Sequence, residues 1–171
     1  LKIKTDFITN SSSSAFIVVW PNIVKTLEDV TKFISNLQHA KIIFRDIIDQ
    51  SVNKVDMNNS SLLNKVADEI TGGYISGISL DDNKFMIEFA KQNNITTKEI
   101  RSNRKWYGQF WDAYRGENMK AAAKGTIEFL ELYGGQYVYF FNYGDNDGEV
   151  FSDLEHENDW GGLPYVRISQ H

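Results

Sequence analysis

Asp145, Asp147 and Glu149 alternate within Asn142-Tyr-Gly-Asp-Asn-Asp-Gly-Glu149, and on extended backbone alternating side chains point the same way. Hard cations take several carboxylate and carbonyl oxygens at once, so a glycine-bounded turn carrying three carboxylates suits Mg²⁺, Mn²⁺ or Ca²⁺. Glu155 and His156 follow closely, and together the five residues would suit metal-assisted phosphoester hydrolysis. The spacing is not that of an EF-hand. With Gly148 at the sixth loop position, Tyr143 and Leu154 fall where carboxylates are required. Asn-Asp-Gly is also what a plain β-hairpin turn selects, because such turns need residues that accept positive φ. Leu-Glu-His-Glu around His156 is not an HExxH zinc motif, and three histidines in the chain (His39, His156, His171) argue against a histidine-rich metal site.

A second polar stretch lies near the start. Thr9, Asn10, Ser11, Ser12, Ser13 and Ser14 sit between Phe7-Ile8 and the apolar run Ala15 to Trp20. Hydroxyls and backbone N–H groups in such a loop can cradle an anion. The tract has neither the glycines nor the lysine of a P-loop, so Walker-type nucleotide binding has no support. The plainer expectation is a surface loop or arm whose serines satisfy local backbone groups. Asp6 to Phe16 resembles an opening signature, Asp/Gly-Phe-Val/Ile-Thr/Ser-Asn followed by five serines and Phe, of uncharacterised bacterial and bacteriophage proteins. Ala15 stands here where a further serine is usual. The resemblance covers about a dozen residues. It implies a bacterial or phage origin and no particular activity.

The third candidate is Arg101-Ser-Asn-Arg-Lys-Trp-Tyr107, where Arg101, Arg104 and Lys105 surround Trp106. Cations for phosphates and rings for bases are what single-stranded nucleic acid requires. Yet Tyr107, Phe110, Trp111 and Tyr114 fall at i, i+3, i+4 and i+7, the spacing of a core-facing helical stripe. A sequence pI near 5.2 also argues against a dedicated nucleic-acid binder.

Composition bounds the rest. The 171 residues suit one domain able to bury a core, and 42% hydrophobic with 13% aromatic content excludes a disordered or fibrous chain. The absence of cysteine removes disulfide scaffolds, thiolate metal sites and cysteine nucleophiles. The net charge of −5 is unevenly spread. Gly125 to Tyr165 holds nine acids and no Lys or Arg, whereas the remainder carries 18 bases and 14 acids, a net of +4. The longest apolar run, Ala15 to Trp20, is far too short to cross a bilayer or serve as a secretory segment. A cytoplasmic location without a membrane partner is expected.

These candidates must be held by regular elements. Phe16 to Trp20 reads as a strand closed by Pro21. Thr26-Leu-Glu-Asp29 resembles a capping box, followed by Leu27, Val30, Phe33, Ile34 and Leu37 at the spacing of one helix of about three turns. Lys41 to Ile48 fits either a strand or a short helix. Ser60 or Ser61 should cap a helix through Ile70, and Asp81 another ending near Asn93-Asn94. Thr97 opens a helical stretch interrupted around Arg115-Gly116 and resumed from Glu117 to Tyr133. Tyr74 to Leu80, Gln136 to Tyr143 and Tyr165 to Ser169 read as strands.

The expected architecture is α+β: a single domain over 1–171, with a mainly antiparallel sheet packed against several helices. The N-terminal strand should pair with a C-terminal one. The leading functional expectation is a small soluble, non-enzymatic binding or regulatory module with a protein partner. One alternative is a metal-dependent hydrolase or phosphotransfer enzyme using the acidic hairpin. Another is a nucleic-acid-associated protein using the basic aromatic segment. No cofactor is expected apart from a divalent metal in the first alternative.

Overall fold

The computed structural model describes residues 13–70, 74–75, 81–144, 153 and 160–169. They form two compact units, residues 1–54 with 136–171 and residues 55–135. The fold is α+β, as expected, with six helices and five strands among the described residues.

The first unit contains β1 (Ser13–Trp20), α1 (Leu27–Thr31), α2 (Leu37–Ile48), β2 (Asn53–Lys54), β4 (Tyr137–Gly144) and β5 (Tyr165–Ser169). Its strands lie in the order β2-β4-β1-β5, every pairing antiparallel. The N-terminal strand therefore does pair with C-terminal ones. Phe16 faces Phe141 on one side and Arg167 on the other, and Val18 faces Tyr139 and Tyr165. Every residue from Ser14 to Trp20 is buried. Phe16, Val18 and Trp20 form one face of β1 and join Tyr139, Phe141 and Tyr143 in a core closed by Val30, Ile34, Ala40 and Ile43 of the helical segment. Trp20 lies edge-on to Phe33, Tyr139 and Trp160, the geometry that aromatic quadrupoles favour.

The single helix expected after Thr26 is in fact two. The capping box is present: the Thr26 hydroxyl accepts from the Asp29 N–H, while Asp29 accepts from the Thr26 N–H. But α1 stops at Thr31, and Asn36 starts α2 by accepting from the Gln38 and His39 N–H groups. The ambiguous segment Lys41 to Ile48 is thus helical. Before β5, the chain folds back through Gly161 at φ +59°, where an added Cβ would lie 1.9 Å from the Phe33 carbonyl oxygen. That close approach brings Trp160 and Leu163 into the core.

The second unit holds α3 (Ser60–Ile70), β3 (Tyr74–Ile75), α4 (Asp82–Gln92), α5 (Thr97–Ser102) and α6 (Arg104–Glu131). The cap of α3 is Asn59, not Ser60 or Ser61, since its side chain accepts from the Ser61 and Leu62 N–H groups. Asp81 caps α4 as expected, and Thr96 with Glu99 forms a second capping box on α5. The anticipated break at Arg115-Gly116 does not occur. It falls at Asn103, and α6 runs unbroken for 28 residues.

The buried positions of α6 explain the misleading pattern. Phe110, Tyr114, Asn118, Ala122, Thr126 and Leu130 recur at every fourth residue. Four residues overshoot one helical turn, so each step carries the stripe about 40° further around the axis. Over the whole stripe the buried direction turns by roughly 200°. One helix therefore buries different sides near its two ends. Phe110 and Tyr114 pack with Met86, Ala90 and Ile100, while α3 and β3 also lie against α6.

Two outcomes follow. Gly161→Ala should cost about 3 kcal/mol in chemical denaturation, against about 1 kcal/mol for Gly162→Ala. Gly162 has a positive φ too, but nothing near its missing Cβ. The capping boxes predict an acid dependence. Backbone N–H groups hold Asp29 well below its ordinary 3.8 and Glu99 below 4.5, so their stabilisation is present above those values and lost as pH falls beneath them. Asp29→Ala should therefore melt below the wild type at pH 7, with the gap closing as the solution is taken toward pH 2.

Candidate functional site

Thr9, Asn10, Ser11 and Ser12 lie outside the described residues, as do Asp145, Asp147, Glu149, Glu155 and His156. Ser13 and Ser14 are not loop residues but the first two of β1. Ser14 is fully buried, and its hydroxyl accepts a 3.0 Å hydrogen bond from Arg167 Nε. The Arg167 guanidinium in turn lies 5.9 Å from the Phe16 ring centre, within cation–π range. Pairing then relates the two polar candidates. Ser13 faces Gly144, and Ser14 faces Ser169. The strand ends that lead into the serine tract, the acidic segment and the C-terminal residues thus share one end of the sheet. Among the described residues, no three His, Cys, Asp or Glu side chains are grouped to hold a metal ion.

Tyr143, opposite Ser14 in this register, donates its hydroxyl to Asp46 Oδ2 at 3.1 Å. Asp46 Oδ1 accepts from Arg45 Nε and Nη2 at 3.0 and 2.8 Å. Burial, reinforced by the Asp46 carboxylate, pushes Tyr143 far above its ordinary 10.0. This phenol is a donor held neutral, and poorly suited to act as a base.

Arg101 lies in the last turn of α5, and Arg104 and Lys105 occupy the first turn of α6 behind the Asn103 cap. All three are exposed, and Trp106 is half-buried with Lys105 Nζ 6.0 Å from its ring centre. The first turn of α6 carries no acid, so two bases meet the positive end of the helix dipole. That placement costs about 0.3–1 kcal/mol per charge. The stripe expected to be core divides: Phe110 and Tyr114 are buried and stacked, Trp111 is half-buried, and Tyr107 is 47% exposed.

A further feature escaped the sequence reading. Within the second unit, α4 and the middle of α6 enclose an open groove of about 540 Å³, in the range of small-ligand and side-chain pockets. Phe85 and Phe89 form one wall, with Gln92 and Asn93 beyond them. Both rings are braced from behind by Phe110. The Asn93 amide donates to the Phe89 carbonyl at 2.8 Å, which fixes its orientation. The opposite wall is Ala113 and Gly116, edged by the Glu117–Lys120 ion pair at 2.5 Å. An added Cβ at Gly116 would meet nothing within 4 Å. The helix backbone is therefore bare here without any packing need, although glycine inside a helix costs about 1 kcal/mol relative to alanine. The available signal was that unexplained helical glycine, which reads more simply as a break.

The Tyr143 contact yields a measurable outcome. A phenol still protonated in the fold above the value at which the unfolded chain ionises loses stability as pH rises past about 10. Tyr143→Phe should cost about 1 kcal/mol at pH 7 through the lost hydrogen bond. Thermal melts should then show a shallower decline than the wild type above pH 10.

Comparison of the chain with protein-family models, with curated proteins and with solved structures gives no match.

Proposed function

We propose that this chain is a small non-enzymatic binding or regulatory module, and that the groove between α4 and α6 receives an apolar side chain from a peptide segment of a protein partner. The observation that carries the reading is the bare backbone at Gly116 facing Phe85 and Phe89 across a groove of about 540 Å³. Places where a sequence breaks a local rule without structural compensation tend to be functional. Here the rule is helix propensity, and the result is room for a ligand against the helix.

The chemistry of the walls defines the occupant. Two phenylalanine rings offer an apolar surface, and the Gln92 and Asn93 amides stand where a peptide backbone could be met by donors and acceptors. Glu117 and Lys120 neutralise one another at the edge, so no strongly charged ligand is selected. A cytoplasmic setting in a bacterium or a phage-infected cell accords with the opening signature and with the short apolar runs. No described helix is long and apolar enough to cross a membrane.

Selection from a random-peptide library tests the reading. Peptides carrying a large apolar residue should be enriched on the wild-type protein and should bind Gly116→Leu at least about tenfold more weakly, a loss of about 1.4 kcal/mol. That variant fills the groove while improving helix propensity by about 0.8 kcal/mol, so its melting temperature should hold or rise. Failure to enrich any peptide, or equal binding by both proteins, would overturn the assignment.

A further inference from the structure

β4 is flanked by β1 over its whole length, but on its other side, among the described residues, β2 supplies only Asn53 and Lys54, opposite Val138 and Tyr137. In antiparallel pairing, successive residues turn their N–H and C=O groups alternately to the two sides. Val138, Phe140 and Asn142 therefore present their backbone groups to the outer edge. Asn53 meets the first of these. The second is met by a side chain: Gln50 Nε2 donates to the Phe140 carbonyl at 2.6 Å, and the Phe140 N–H donates to Gln50 Oε1 at 2.9 Å.

A primary carboxamide offers one donor and one acceptor in the plane of a peptide group, so Gln50 stands in for the next residue of a longer β2. It is held there by a second bond from Nε2 to the Asp46 carbonyl at 3.0 Å, near the end of α2. Beyond Gln50 the strand continues to Asn142, which is exposed.

We infer that Gln50 is a plug that withholds the outer edge of β4 from strand addition by a second copy of this chain. The occupant follows from β4 itself. Tyr-Val-Tyr-Phe-Phe-Asn-Tyr-Gly contains no proline, which would break a ladder, and no charge. Two such edges brought together antiparallel about a twofold axis over Phe140 to Gly144, the part of β4 that β2 leaves, would set no like charges opposite one another and would pair aromatic residues. Edges of this kind are templates for association unless something covers them. A single side-chain amide is an economical cover, because it satisfies both groups of Phe140 without offering an edge of its own.

Gln50→Met and Gln50→Leu each remove the amide while retaining most of its volume and adding no charge to the edge. In sedimentation velocity over a wide concentration range, both should self-associate at least about tenfold more tightly than the wild type. Hydrogen exchange at the Phe140 amide should be faster in Gln50→Met than in the wild type at low concentration, and slow again as association proceeds. Adding Asn142→Pro, which removes an outward donor from the open edge, should return Gln50→Met to the association state of the wild type. Two results would sink the proposal. One is Gln50 variants that sediment like the wild type while Phe140 exchanges rapidly at every concentration. The other is association that persists with Asn142→Pro in place.

Discussion

The strand β1 has no free surface. Its two edges are taken by β4 and β5, and every residue from Ser14 to Trp20 is buried. A strand in that position tolerates no slippage, because a shift by one residue would exchange Phe16, Val18 and Trp20 with Ala15, Ile17 and Val19. The hydroxyl of Ser14, in that buried run, accepts from the Arg167 guanidinium. Arg167 is in turn positioned by pairing opposite Phe16. The register, the buried hydroxyl and the position of the cation are one constraint seen three ways. The helices α1 and α2 and the turn at Gly161 are arranged to cover the face that this register presents.

Some of this was open to sequence reasoning, and the reason is locality. Thr26 with Asp29, and Asp81 with the N–H groups just after it, interact over three residues or fewer. β1, β4 and β5 announce themselves through runs of β-branched and aromatic side chains, and so the α+β class was readable. The helix expected through Leu37 failed because Phe33, Ile34 and Leu37 keep helical spacing across a segment that is not helical. The decisive residue there was the N-cap Asn36, which outranks a stripe of apolar residues as a boundary signal. On α6 the reverse occurred. A stripe of period four turns around the axis, so no fixed apolar face accumulates and the glycines look like punctuation.

The candidate site was less legible than the fold. The groove joins Phe85 and Phe89 on one helix to Ala113 and Gly116 on another, and no local spacing relates them. Gln50 reads as an ordinary polar residue after a helix, since its partner Phe140 is 90 positions away. The basic aromatic segment was visible because its residues are neighbours in sequence. Its division into buried Phe110 and exposed Tyr107 depends instead on how α4 and α5 cover α6. Chemistry carried by one stretch of chain can be seen before folding, whereas chemistry assembled from several cannot.

The first unit is made from two stretches of chain with the whole of the second unit between them. Val24 and its hydrogen-bond partner Tyr139 are 115 residues apart. During synthesis the segment Val55–Gly135 leaves the ribosome as one uninterrupted piece, rich in local helical contacts that form quickly. β1 emerges first but must wait for both of its neighbours, carrying an apolar run that no partner yet covers. The interval between them is a window for chaperone capture or misassociation. Its length is set by translation speed rather than by the stability of the finished sheet.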